Sequence, residues 1–74
     1  MKETISKLAK KVKYPFKMKG PSNYIYTIHK IENDVVTYSF YGKRINKCNY
    51  NFWSKEFLVS LKNKLIELTN SYHN

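Results

Sequence analysis

Lysines interleaved with tyrosines are the residues of this sequence that could do chemistry on a partner. Lysine ammonium groups neutralise the phosphates of a nucleic acid and release its counterions, and exposed aromatic rings offer stacking faces to unpaired bases. Residues 1–20 carry seven lysines against one glutamate, and residues 43–74 carry six basic residues against two acids. The segment between them has a net charge of −1. We therefore expect a cationic surface that binds DNA or RNA.

The predicted contacts come from three basic segments and two tyrosines. The phosphate contacts are Lys7, Lys10, Lys11 and Lys13 on the first predicted helix, Lys17 and Lys19 on a short strand, and Lys43, Arg44 and Lys47 after a hairpin. The aromatic contacts are Tyr41 and Tyr50. A single lysine is usually only solvated surface, so the prediction rests on clustering. Because arginine is the side chain suited to bidentate guanine readout and this chain has one, we expect weak sequence preference.

Catalytic and metal-binding spacings are missing from the sequence. The histidines are His29 and His73 and the cysteine is Cys48, with no C-x-x-C or H-x-x-x-H pattern among them. We therefore expect no enzymatic activity, no cofactor and no metal. The lone cysteine excludes an intramolecular disulfide, and no apolar run approaches the roughly 18 residues of a membrane span. These features predict a cytoplasmic protein without a membrane partner.

The length of 74 residues and the net charge of +9 indicate a single small basic domain over residues 1–74. A core of this size leaves little stability for a deep, water-excluding pocket. Composition therefore favours a binding surface over an active site.

Apolar periodicity predicts one helix near each end of the chain. Over residues 3–13, apolar side chains recur at helical spacing, at Ile5, Leu8, Ala9 and Val12. Ser54 is a suitable N-cap for the second helix, and Trp53 before it is expected to pack on Leu58. The stripe then continues through Phe57, Leu61, Leu65 and Leu68 until Asn70.

Alternating apolar and polar residues predict three strands. Phe16 and Met18 alternate with lysines, and after the turn residues Gly20-Pro21-Ser22-Asn23, residues 24–31 and 35–41 form a hairpin. Two registers are open. A three-residue loop pairs Ile28 with Tyr38 and Tyr26 with Phe40, and it leaves His29 and Tyr41 on the polar side, whereas a two-residue turn pairs Ile31 with Val36 and His29 with Tyr38. We favour the first, which gathers the larger apolar set on one face.

The order helix, three strands, helix predicts a two-layer α+β domain of αβββα order, with both helices on one face of a small antiparallel sheet. Residues 45–52 are either a loop or a ragged edge strand. The order resembles that of double-stranded RNA-binding domains, and Gly20-Pro21 is similar to their Gly-Pro turn. The lysine- and alanine-rich segment that opens the last helix in that family is replaced here by Trp53-Ser54-Lys55-Glu56-Phe57, and we infer no membership.

A small protein inhibitor is the second hypothesis. In size and lack of motifs the chain resembles the anti-CRISPR proteins that phages and mobile elements use against host defence. Such a protein would bind a host protein or ribonucleoprotein. Aromatic residues are enriched in interface hot spots, so its anchors would be Tyr24, Tyr41, Tyr50 or Trp53 where these are exposed.

Overall fold

A computed structural model describes residues 2–41 and 43–72. The elements in chain order are α1 (Lys2–Ala9), β1 (Phe16–Lys19), β2 (Ile25–Glu32), β3 (Val35–Phe40), β4 (Ile45–Asn49) and α2 (Lys55–Tyr72), with 3₁₀ turns at Pro21–Asn23 and Tyr50–Phe52. The strands form one antiparallel sheet in the order β1-β2-β3-β4. Both helices pack on one face of it, which confirms the predicted α+β class with a helix at each end.

The core lies between the helices and one face of the sheet. Strand β1 shows how alternation selects this face, because Phe16 and Met18 are buried while Lys17 and Lys19 are exposed. The largest fully buried side chains come from both layers; they are Tyr50, Phe57, Ile5, Ile28, Leu61, Leu65 and Val36. This face therefore supplies most of the apolar burial that stabilises the domain.

A β-bulge at His29 reconciles the two hairpin registers. On the turn side of it, Ile31 pairs with Val36, as the two-residue turn predicts. Beyond it, Ile28 pairs with Tyr38 and Tyr26 with Phe40, as the three-residue loop predicts. The extra residue in β2 absorbs the one-residue difference, so apolar side chains face the helices on both sides of the bulge.

The hairpin turn and strand β4 complete the sheet. Asn33 and Asp34 both adopt left-handed backbone conformations, with φ of 53° and 64°, as a two-residue hairpin turn matched to the strand twist requires. Strand β4 pairs along β3 from Val35–Asn49 to Ser39–Ile45, so the first half of residues 45–52 is an edge strand. The sheet therefore has four strands, with β1 and β4 at its edges.

Helix α1 is shorter than the predicted 3–13 and ends at Ala9. The Lys11 N–H donates to the Leu8 carbonyl in a tight turn, and the Tyr14 hydroxyl donates to the Ala9 carbonyl at 2.7 Å. These bonds satisfy carbonyls that a longer helix would use. Val12 is still buried, because the turn folds it back onto the core.

The start of helix α2 confirms the predicted cap. Ser54 Oγ accepts a hydrogen bond from the Phe57 N–H at 3.1 Å. The Trp53 ring stacks on Phe57, with centroids 3.9 Å apart and planes at 14°, and it packs against the core cluster that includes Leu58. Its indole N–H donates to the Cys48 carbonyl. At its other end the helix runs to Tyr72, two residues past the predicted end.

Truncating Leu61 tests the position of the core. Its side chain is 0% exposed, so Leu61→Ala should lower the free energy of unfolding by about 2–5 kcal/mol. Ile66 on the same helix is 39% exposed, and Ile66→Ala should change it by no more than about 0.5 kcal/mol. Urea denaturation followed by circular dichroism measures both. Equal losses in the two variants would show that the buried stripe of α2 is misplaced.

Ionisation of the Tyr14 hydroxyl is expected to lower the free energy of unfolding at alkaline pH. Burial, with smaller effects from Tyr50 and Tyr72, raises the pKa of Tyr14 from 10.0 to about 12. Because the folded state holds this proton more tightly than the unfolded chain, the stabilisation is complete below pH 10 and is lost as the pH rises to about 12. Tyr14→Phe removes both the ionisation and the hydrogen bond to Ala9. It should be about 0.5–1.5 kcal/mol less stable at neutral pH.

Comparing urea midpoints at neutral pH and at about pH 11 isolates this contribution. Tyr14→Phe should lose less stability between the two pH values than the parent protein does. An equal loss would mean that Tyr14 keeps its ordinary pKa in the folded state.

Candidate nucleic-acid interface

No other element of residues 2–41 and 43–72 covers the sheet face turned away from both helices, and we call it the open face. The register assigns its side chains by alternation with the buried set; they are Lys17, Lys19, Ile25, Thr27, His29, Lys30, Glu32, Val35, Thr37, Ser39, Ile45, Lys47 and Asn49. The larger apolar side chains of the hairpin pack on the other side, against α2. The open face is therefore mainly polar and basic, as one side of an antiparallel sheet can be.

Lysines stand on both edge strands of the open face. Lys17 and Lys19 project from β1 and Lys47 from β4, and all three are exposed. Four strands spaced about 4.8 Å apart put the backbones of β1 and β4 roughly 14 Å from each other. Between them the register aligns hydroxyl side chains, with Thr27 and Ser39 in the row of Lys17. The arrangement has two cations on one edge and one on the other, with the Thr27 and Thr37 hydroxyls between them.

The bulge forms a shallow groove near the hairpin end of the open face. Its volume is about 570 Å³, and Lys30, Lys47, Thr37 and Glu32 contribute to its walls together with His29. The His29 Nε2 and Ser39 Oγ atoms are 2.9 Å apart and share a hydrogen bond. Because Ser39 is buried, this bond satisfies its hydroxyl and holds the imidazole against the sheet. His29 therefore lies on the open face, as the favoured hairpin register predicts.

Few of the cations are neutralised by ion pairs. Within residues 2–41 and 43–72 the ion pairs are Lys30–Glu32 at 2.9 Å and Lys64–Glu67 at 3.3 Å. The acids nearest to the open face are thus already paired with other lysines. Within the same ranges Lys17, Lys19 and Lys47 form no ion pair.

The four basic residues predicted on the first helix lie on the helix side of the sheet, away from the open face. Lys7 is on α1, and the other three follow the helix end, in residues 10–13. Lys7 lines a depression with Asp34, and Lys10 lines one with Glu32. Lys13 points its Nζ atom at the Tyr72 ring, 5.6 Å from the centroid. The predicted phosphate contacts are therefore divided between two sides of the molecule.

Lys43 and Arg44 lie at one end of the sheet, beside a group of aromatic rings. Both residues are exposed in the connection from β3 to β4. Tyr24, Phe40 and Tyr41 pack together there, and we call these three residues the aromatic corner. Ring centroids are 5.0 Å apart for Tyr24–Phe40, 4.7 Å for Phe40–Tyr41 and 6.2 Å for Tyr24–Tyr41.

The two predicted aromatic contacts have different surroundings. Tyr41 is 52% exposed, at the end of the sheet rather than in the middle of the open face, because its ring packs on Tyr24 and Phe40. Tyr50 is 1% exposed, and its hydroxyl shares a hydrogen bond with Ser6. The prediction for Tyr50 is therefore corrected, since a buried ring has no face for a base. Burial raises its pKa, as it does for Tyr26 and Tyr38 under the helices.

Three exposed aromatic residues were not among the predicted nucleic-acid contacts; they are Tyr24, Phe52 and Tyr72, the last 43% exposed at the end of α2. Tyr24 is 46% exposed because it precedes β2 and extends past the cover of α2. Phe52 is 81% exposed in the 3₁₀ turn before α2. The signal for Tyr24 was its place directly after the turn residues Gly20-Pro21-Ser22-Asn23, before the start of β2. For Phe52 no periodic pattern was available.

The described residues provide no sign of a metal centre or a membrane span. Across residues 2–41 and 43–72, no three His, Cys, Asp or Glu side chains are grouped so as to hold a metal ion. No helix in those same ranges has the length and apolar character needed to cross a membrane.

Comparisons with known proteins add no family to these observations. A scan against protein-family models and searches of curated proteins and of solved structures found no match to this chain. Inference about function therefore rests on the open face and the aromatic corner.

Proposed function

We propose that the protein binds nucleic acid through the open face, without chemistry on its ligand. The observation that carries this proposal is the placement of Lys17, Lys19 and Lys47 on both edges of the open face, where they form no ion pair within residues 2–41 and 43–72. A polyanion that lies across the sheet would meet cations at each edge and the Thr27 and Thr37 hydroxyls between them. Binding of this kind gains free energy mainly from counterion release.

The chemistry of the face supports contact with the backbone more than with the bases. Lysine acts as a point charge, and threonine hydroxyls donate to phosphate oxygens without reading sequence. Arg44 is the one guanidinium of the chain and lies outside the strands, so bidentate base readout has a single candidate. We therefore propose affinity that depends steeply on salt and weakly on sequence.

We favour the open face over the helix side because the acids near its lysines are engaged elsewhere. Glu32 beside Lys47 is paired with Lys30, and Glu67 beside Lys19 is paired with Lys64. The depression beside Lys7 includes Glu3 and Asp34, which form no ion pair within residues 2–41 and 43–72. A phosphate chain on that side would approach carboxylates as well as ammonium groups. We assign the main contact to the open face and a weaker, general attraction to the helix side.

Charge removal from each side in turn tests this assignment. The triple variant Lys17→Gln, Lys19→Gln, Lys47→Gln should bind an oligonucleotide much more weakly, and its slope of log K against log salt should fall by roughly 2–3. The matched control is Lys7→Gln, Lys10→Gln, Lys11→Gln, which removes the same charge from the helix side. It should change the slope by roughly 1 or less. Fluorescence anisotropy at several salt concentrations measures both.

Two outcomes would contradict the proposal at different levels. Equal losses in the two triple variants would mean that overall charge, and no particular face, attracts the ligand. Failure of the parent protein to bind any oligonucleotide at low salt would exclude nucleic-acid binding altogether.

A second candidate function is inhibition of a host protein or ribonucleoprotein. The exposure of Phe52 supports it. A phenylalanine that is 81% exposed has the character of an interface anchor. Capture of a partner from host lysate, with and without nuclease, separates the candidates. A protein partner that resists nuclease and is lost in Phe52→Ala would favour inhibition, whereas partners lost on nuclease treatment favour nucleic-acid binding.

A further inference from the structure

We propose that the aromatic corner stacks unpaired bases, so that the ligand of the open face is single-stranded nucleic acid rather than a duplex. The proposal rests on the function proposed above and adds the class of ligand. It concerns Tyr24 and Tyr41, whose rings are close to half exposed and in contact with each other.

The geometry of the corner presents rings that are held in place. Phe40 lies under both tyrosines, at a tilt of 59° to Tyr24 and 83° to Tyr41, and it packs in turn on Tyr26 of the inner cluster. Tyr24 and Tyr41 meet nearly edge to face, at 89°. These contacts leave Tyr24 46% exposed and Tyr41 52% exposed. Because these contacts already restrain the tyrosine side chains, stacking a base on them costs little additional side-chain entropy.

The backbone at Tyr41 is held in an unusual conformation that directs its ring to this corner. Its φ is 55°, in the left-handed region that a bulky residue rarely adopts. The Tyr41 N–H donates to the Ile25 carbonyl at 3.2 Å, which ties the residue to the start of β2. Continued alternation would have placed the ring over the open face. Backbone outliers of this kind cluster at binding sites, where surrounding contacts maintain them.

Charge around the corner selects an anionic occupant. Lys43 and Arg44 follow Tyr41 closely, and Lys19 is at the same end because it pairs with Ile25. The acids of the hairpin, Glu32 and Asp34, lie at the opposite end of the sheet, roughly 20 Å away along β2. An apolar peptide gains nothing from these cations. A nucleotide uses both features at once, with its base on a ring and its phosphate beside an ammonium or guanidinium group.

A duplex cannot satisfy both features together. Its bases are stacked on one another, and only their edges and the backbone are accessible in the grooves. An extended single strand can follow the lysines of the open face and turn its bases onto the rings at the corner. The aromatic corner therefore distinguishes between two ligands that the lysines alone would bind similarly.

Paired measurements on one sequence, as a single strand and as a duplex, test the proposal by fluorescence anisotropy. The parent protein should bind the single strand more tightly. Tyr24→Leu and Tyr41→Leu should each weaken single-strand binding roughly 5- to 100-fold, the range that loss of one stacked base implies, and leave duplex binding unchanged. The matched control is Tyr72→Leu, because Tyr72 is a comparably exposed tyrosine on α2. It should leave both affinities unchanged.

A second variant keeps the test independent of folding. Tyr41→Trp retains an aromatic ring and adds a fluorophore at the corner, and addition of oligo(dT) should quench its emission while Tyr72→Trp shows no quenching. Equal affinity for both ligands, with no loss in the leucine variants, would overturn the stacking proposal and leave phosphate binding in place. Absence of binding to either ligand would overturn both proposals.

Discussion

Burial of a single sheet face governs this structure. Both helices carry one apolar stripe, and a 74-residue chain has material for one core, so the two stripes must meet the same layer of apolar strand residues. Leu61 and Leu65 from α2, Ile5 from α1 and Ile28 from the sheet are completely enclosed as a result. The opposite face then has no cover, and its side chains must be compatible with water or with a partner. Placement of the polar and basic strand residues follows directly from this constraint.

The bulge at His29 allows the same constraint to hold along the whole hairpin. Without the extra residue, a turn that is matched to the strand twist would place the apolar residues of half of β2 on the wrong face. With it, Ile31 and Ile28 both face the helices, and the hydroxyl of Ser39 finds a partner in the imidazole. One irregular residue thus serves both core packing and the polar surface.

Local patterns predicted the parts of the fold that depend on neighbouring residues. Alternation identified β1, and the Ser54 cap marked the start of α2 correctly. The end of α1 was not predicted, because the competing donor on the Ala9 carbonyl is the side chain of Tyr14, five residues away. Burial of Tyr50 was missed because it depends on packing beneath α1, to which it is joined through Ser6.

The candidate site shows the same division between local and long-range information. The basic residues could be identified from the sequence, but their division between two sides depends on the α1 turn and on strand register. The aromatic corner joins Tyr24 to Tyr41 across two strands, and no spacing in the sequence indicates their contact. Alternation alone places Tyr41 over the open face, and only its left-handed backbone accounts for its actual position.

The lysines of the edge strands also bear on how copies of this protein behave at high concentration. Strands β1 and β4 have four and five residues, and each has one unpaired side that another chain could extend. Short edges that carry like charges resist such addition, because a second copy would bring its own ammonium groups alongside. Concentrated salt screens this repulsion. The positive charge that we propose attracts a polyanion thereby also disfavours edge-to-edge association between copies of this chain.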